Sequence, residues 1–271
     1  MKGKSYVGVS GISSVREAEE VVDAFYTDAG FSAMGSHVPM MGFQVSYKCL
    51  ERGYSEGNNR VPMLDELPNI LKAVEGKVFS TVHYYTKNKD SLLKEVWKVL
   101  NTESIYYLVL VCGLQINGVL PTPEQFGSIK HAFPELKLIL QLSPKTVGTM
   151  HVNDIAKSLS NDYAGVDYVL IDPSMGTGKE FDVNVAVETY HMLRTNCISA
   201  GIVFAGGLNG SNVSSKVRSV SKAIGTTEFS IDAEGDLRDR LGDGYGNDAL
   251  NMEKVRAYLR NARAALSVAE H

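Results

Sequence analysis

Asp167-Tyr-Val-Leu-Ile-Asp172-Pro-Ser-Met-Gly176-Thr-Gly178-Lys-Glu-Phe-Asp182 is an apolar run ending on a carboxylate, then a loop with two glycines, then a helix-capping residue. Residues 168 to 171 carry the near-continuous apolar character of a strand covered on both faces. After Asp182, the positions Val183, Ala186, Val187, Tyr190 and Leu193 fall on one side of a helix. The stretch is one strand–loop–helix unit with an acid at the strand's C-terminal end.

Working outward, the same unit recurs. Tyr6 to Ser10 is a strand, and Ser14-Val-Arg-Glu17 reads as a capping box for a helix on Val15, Ala18, Val22 and Phe25, ended by Gly30. Phe31 to Ser36 is expected to be a second strand with His37 at its end, Lys77 to His83 a third, Ile105 to Cys112 a fourth, and Leu136 to Leu142 a fifth. Helices are expected from Asp65 to Glu75, after Asp90, from Thr122-Pro-Glu-Gln125, and from Asp154 to Asn161. Downstream, Ile202 to Ala205 leads into Gly206-Gly207-Leu-Asn209, Glu228 to Asp232 is the eighth strand, and a helix from Asn251 to Leu266 closes the chain.

Alternation of this kind implies a parallel sheet. Eight such units in 271 residues predict a single (β/α)8 TIM barrel, ahead of an open doubly wound sheet, as one domain spanning 1–271. Residues 38–63 fit no unit and read as an inserted loop over the barrel's C-terminal face.

Net charge is −4, which argues against a nucleic-acid partner, and no apolar run approaches membrane-spanning length. Three cysteines without short spacing suit a reducing compartment, so a cytoplasmic protein is expected, with no secretory leader. The histidines and cysteines form no metal-ligand motif. Gly176-Thr-Gly178-Lys179-Glu180 falls short of a phosphate loop, and Gly8-Val-Ser10-Gly11-Ile12 of a nucleophile elbow.

Barrel chemistry sits where strands end, which nominates Ser10, His37, His83, Cys112, Ser143 to Lys145, Asp172, Gly206 to Asn209, and Asp232 to Gly235. A carboxylate ending an apolar strand is suited to general acid work, because low dielectric favours its protonated form; the structural alternative is an Asp that caps the turn. Gly206-Gly207 lets backbone N–H groups approach an anion at a helix start, or simply makes a tight turn. For His37, His83 and Cys112, inward packing competes with catalysis.

Together these residues resemble phosphoribosylanthranilate isomerase, a barrel of tryptophan biosynthesis. The likeness rests on Leu170-Ile-Asp172 with Gly176-Thr-Gly178-Lys179-Glu-Phe181-Asp182, on Ala205-Gly206-Gly207-Leu208-Asn209, and on Phe229-Ser-Ile-Asp232 with Met252-Glu-Lys-Val-Arg. It implies a cofactor-free Amadori rearrangement of a small phosphorylated sugar derivative, by a monomer or homodimer. Asp172 takes the general-acid position, Arg60 a substrate contact, and Gly206, Gly207, Asn209, Asp232 and Gly235 the phosphate site. Ser10 stands where that family has a general-base cysteine, and an unassisted hydroxyl is a poor base at neutral pH. His83 or Glu234 is the expected substitute. Glu234 also puts a carboxylate beside the expected phosphate, which repels unless a cation offsets it. The residues leave two alternatives open: a non-catalytic ligand-binding or regulatory barrel, and a lyase or aldolase using Lys145.

Overall fold

In a computed structural model that describes residues 4–142, 152–172, 181–196 and 198–267, eight parallel strands close into one barrel in sequence order. The strands are β1 (Ser5–Ser10), β2 (His37–Ser46), β3 (Phe79–Tyr85), β4 (Gly113–Asn117), β5 (Lys137–Leu142), β6 (Tyr168–Ile171), β7 (Gly201–Ala205) and β8 (Ser230–Ala233). The seam pairs Val7 with Ile231, Gly8 with Asp232, and Val9 with Ala233. Outside lie α1 (Val15–Asp23), α2 (Tyr47–Arg52), α3 (Leu67–Ala73), α4 (Leu92–Leu100), α5 (Pro123–Ala132), α6 (Val152–Asn161), α7 (Val183–Thr195), α8 (Val213–Ile224) and α9 (Met252–Ser267). A short antiparallel pair, β9 (Arg238–Arg240) with β10 (Asp248–Leu250), follows β8. No helix among the described residues is long and apolar enough to cross a membrane.

The local signals act as their chemistry requires. Thr122 and Gln125 form a reciprocal capping box with Pro123 in the first turn of α5. Asp182 accepts from the Asn184 and Val185 amides at the start of α7. At α1, Ser14 accepts from Glu17 N, but the Glu17 carboxylate reaches Ser13 rather than Ser14.

Two strands lie further along the chain than expected. Residues 31–36 form turns in which Phe31 is buried, edge-on to Phe25, while Met34 is exposed. The second strand is His37–Ser46, so residues 38–46 of the expected insertion are barrel wall, and the excursion begins at α2. Pro39 disguises this strand, since proline cannot donate to a ladder. It is tolerated because pairing with β3 starts only at Met40 and Phe79. His37 therefore lies at the bottom of the barrel, its Nε2 3.0 Å from the Thr227 and Phe229 carbonyls.

The fourth strand is likewise Gly113–Asn117, not 105–112. Ile105, Leu110 and Val111 are buried in the main apolar core, whereas Tyr107, Leu108 and Val109 are exposed, with Val109 at φ 59°. Cys112 precedes the strand on that face, its carbonyl accepting from Lys137 N. Residue 113 can only be small because Phe79 and Thr81 crowd it: a Cβ on Gly113 would lie 2.8 Å from the Phe79 ring and from Thr81 Oγ1. From there Leu114 and Ile116 join the apolar core while Gln115 lines the mouth. The Ser143 to Lys145 segment and the Gly176 to Lys179 motif lie outside the described residues.

Gly113→Ala is expected to destabilise the fold by about 1–3 kcal/mol through overpacking. Denaturant unfolding checks it, and an unchanged midpoint would contradict the packing described for β4.

Candidate functional site

The lumen is apolar low down, where Tyr6, Met40, Ile139, Tyr168, Leu170 and Val203 pack together. Above them the strands present a polar layer: Ser10, His83, Gln115, Gln141, Asp172 and Asp232. All of these but Ser10 line a cavity of about 530 Å³ that also takes in Asn58, Arg60, Gly206, Gly207, Glu234, Gly235 and Tyr245. Ser10 lies just beneath it, 1% exposed.

Asp232 is the electrostatic centre. Its carboxylate accepts the Ser10 hydroxyl at 2.8 and 3.0 Å across the β1–β8 seam. No cation contacts it among the described ion pairs. Burial pushes its pKa up to about 7, with Glu234 and Asp172 adding repulsion, while the Ser10 and Ala233 hydrogen bonds pull the other way. The carboxyl has room only because residue 8 is glycine, where a Cβ would lie 2.5 Å from Asp232 Oδ1. The Ser10 proton is thus already engaged by a stronger base than the serine itself.

Asp172, 8% exposed, accepts from Gln141 Nε2 at 3.1 Å. His83 is 3% exposed and its Nε2 has no hydrogen-bond partner among the described residues; burial lowers its pKa to about 4, so the ring is neutral in ordinary conditions. Gln115 Oε1 is similarly unpartnered, its Nε2 donating to Asn117 Oδ1.

Arg60 does reach the mouth, but protein carboxylates occupy it. Its Nε and Nη2 bind Asp248, its Nη1 donates to Glu234 Oε1 at 2.7 Å, and Tyr245 stacks on the guanidinium at 4.5 Å. Arg238 binds the other side of Asp248 and donates to the Gly11 carbonyl. Burial opposes ionisation of Asp248, yet the two guanidiniums hold its carboxyl below the usual range. Asn59 adds a bond from its amide to the Gly246 carbonyl. The loop after α2 and the β9–β10 hairpin are thereby clasped to each other over the barrel rim.

At the β7 end, Gly206 and Gly207 take φ of 95° and 64°, so the chain turns through a conformation that side chains resist. Both line the cavity; Asn209 does not. Its Oδ1 accepts from the Ser211 and Asn212 amides, its Nδ2 donates to Asp236 at 3.2 Å, and it borders a second cleft with Arg238 and Lys254. Gly235 opens a short 3₁₀ turn facing Arg60.

Reading the sequence missed Gln115, Gln141, Tyr245 and Asp248. The alternation in Gly113-Leu-Gln-Ile-Asn117 was a usable signal for Gln115, obscured by the apolar run before it. Asp248 had no local signal, because its role depends on two arginines, the farther of them 188 residues away.

No protein-family model matches the sequence, and no curated protein matches it. Solved structures do resemble it. Phosphoribosyl anthranilate isomerase from Thermotoga maritima is 16% identical with a TM-score of 0.62, over 96% of this chain and 99% of that one. A phosphoribosyl anthranilate isomerase in complex with reduced 1-(o-carboxyphenylamino)-1-deoxyribulose 5-phosphate gives 15%, 0.60, and the same coverage. A Rubisco-like protein from Rhodopseudomonas palustris gives 9% and 0.55, over 100% of this chain and 65% of that one. Likeness at these identities establishes the barrel and leaves the reaction to the site.

Asp248→Ala strands two buried guanidiniums, and is expected to lower stability by about 3–5 kcal/mol. Calorimetric or denaturant unfolding checks it; a loss under ~1 kcal/mol would mean that the clasp is not a structural element.

Proposed function

We propose that this barrel is an acid–base isomerase of a small sugar derivative, moving a proton between carbons next to a carbonyl or imine without a cofactor. The observation that carries the reading is Asp232: a buried carboxyl near neutrality, bonded to Ser10, lining the same mouth as Asp172. A carboxyl with a pKa of about 7 is populated in both forms at working pH, the condition for taking a proton and returning it. Asp232 would remove the proton from the carbon next to the carbonyl. Asp172 would protonate the ring or carbonyl oxygen, so that one proton leaves carbon as another reaches oxygen. Ser10 acts as a positioning residue: its hydroxyl donates to the Asp232 carboxylate, within reach of both oxygens, and stabilises the ionised form.

The phosphorylated end of the substrate is proposed to lie over Gly206 and Gly207, whose left-handed backbone can present amides to an anion. Glu234 and Asp236 oppose a dianion there, and Glu234 already holds Arg60. A phosphate therefore binds only if Arg60 exchanges Glu234 for it. The saturation of Arg60 also favours a second reading, a barrel that binds a ligand without converting it. The aldolase reading depends on Lys145, which lies outside the described residues.

Incubation in D2O with aldoses, ketoses, their phosphates and N-(5-phosphoribosyl)anthranilate tests the isomerase reading. At least one compound is expected to exchange deuterium at the carbon next to the carbonyl, with a loss of about 10²–10⁴-fold in Asp232→Asn and in Asp172→Asn. Since the base must be ionised, kcat/KM is expected to fall as pH drops below about 7. No exchange with any compound, or exchange that survives both substitutions, rejects the reading. Separately, Glu234→Gln is expected to tighten binding of inorganic phosphate by about tenfold, or 1.4 kcal/mol; calorimetry showing no change would remove phosphate from the proposal.

A further inference from the structure

The acid–base pair belongs to the β6–β8 side of the mouth, and the opposite side has a chemistry of its own. Ser46 on β2, Tyr85 on β3 and Asn117 on β4 lie in register at the C-terminal ends of three adjacent strands. From there the chain runs into Tyr47 and Lys48 at the start of α2 and, past Thr86, into Lys87. The Tyr47 and Tyr85 rings stand 6.5 Å apart, and Lys48, Lys87 and Asn117 line the same cavity as Asp232. Both lysines are exposed, and neither ammonium enters a hydrogen bond or ion pair among the described residues. Asn117 Oδ1 accepts from Gln115 Nε2 at 2.9 Å, which turns the amide so that its Nδ2 hydrogens are left for another acceptor. The carboxylates among the described lining residues, Asp172, Asp232, Glu234 and Asp236, come instead from the ends of β6 and β8. The mouth is therefore polarised across its width. Two ammoniums without a counter-charge on a concave wall focus their field on an anion. Arg60 is already taken by Glu234 and Asp248, whereas an anion at the lysine end displaces neither of those carboxylates.

We propose that the β2–β4 end of the mouth is an anion subsite, in which Lys48, Lys87 and the Asn117 amide hold a carboxylate or phosphate group of the ligand. It is separate from any phosphate over Gly206 and Gly207, which has to draw Arg60 away from Glu234. The substrate class it implies is an aldose or ketose with an acid group on the carbon far from its carbonyl. The carbonyl end meets Asp232 and Asp172 while the acid group lies across the cavity from them. That class rests on the isomerase reading, but the subsite is a binding feature that can be measured without turnover.

The probes are inorganic phosphate, D-glucuronate and uncharged D-glucose, followed by calorimetry and by the side-chain ¹⁵NH₂ signal of Asn117. Phosphate or glucuronate is expected to move that signal in the wild-type protein and also in Asp232→Asn, and glucose is expected to leave it in place. Lys48→Met and Lys87→Met are each expected to weaken anion binding by about 3–10-fold, a loss that shrinks as salt is raised. Lys48→Arg and Lys87→Arg, which keep the charge, are expected to stay within about twofold of wild type. Lys72→Met, exposed on α3, is expected to change nothing and separates a local site from net charge. An Asn117 signal unmoved by both anions, equal movement with glucose, or losses in the two lysine variants no larger than in Lys72→Met each overturns the subsite. A response to either anion alone upholds it and names the acid group as phosphate or carboxylate. If the subsite responds while no compound exchanges deuterium, the subsite stands and the isomerase reading falls.

Discussion

A carboxylate buried with no cation against it among the described residues is the constraint around which this barrel is arranged. Asp232 sits at the seam where β8 meets β1, and among the described residues its side-chain hydrogen-bond partner is the hydroxyl of Ser10. Such a group is tolerable only if the ionised form is scarce or its charge is shared through hydrogen bonds. Both operate here: burial raises the pKa, and Ser10 and the Ala233 amide moderate it. The geometry needs two glycines, Gly8 to admit the carboxyl and Gly42 to admit Ser10 beside His83. Small residues on β1 and β2 thus carve polar space out of a lumen that tyrosine, methionine and leucine otherwise fill.

The rim is organised by the opposite device, charge that is fully compensated. Asp248 lies between Arg60 and Arg238, and Glu234 takes the remaining face of Arg60. Ion pairs this buried contribute less to net stability than their number suggests, because desolvation offsets attraction. Their effect is to fix the position of the loop after α2 and of the β9–β10 hairpin, which frame the mouth. A guanidinium committed in this way meets an outside anion only by releasing a carboxylate.

The barrel was legible because eight apolar strands alternating with capped helices leave few topologies. The local reading failed where an apolar run formed turns instead of a strand, at 105–112, and where proline concealed one, at Pro39. His83, Asp172 and Glu234 were nominated as strand ends and line one mouth, while Ser10, nominated with them, is buried against Asp232 beneath it. Sequence could not show which carboxyl burial raises, because that depends on Gly8 and on the depth of Asp232 in the lumen, neither of which is local. Arg60 was recognisable as a residue aimed at the mouth, but its partner Asp248 was not, since the hairpin that delivers it has no pattern of its own.

The titration of the Asp232 side-chain carbon, followed by ¹³C NMR with Asp232→Asn for assignment, tests the central claim most directly. A midpoint at about 7 is the expected result, moving further up when Ser10→Ala removes the hydrogen bond that favours the ionised form. A midpoint near 3.8, the ordinary value for an aspartate, would contradict the account, because the carboxyl would then be neither buried as described nor poised to exchange a proton at neutral pH.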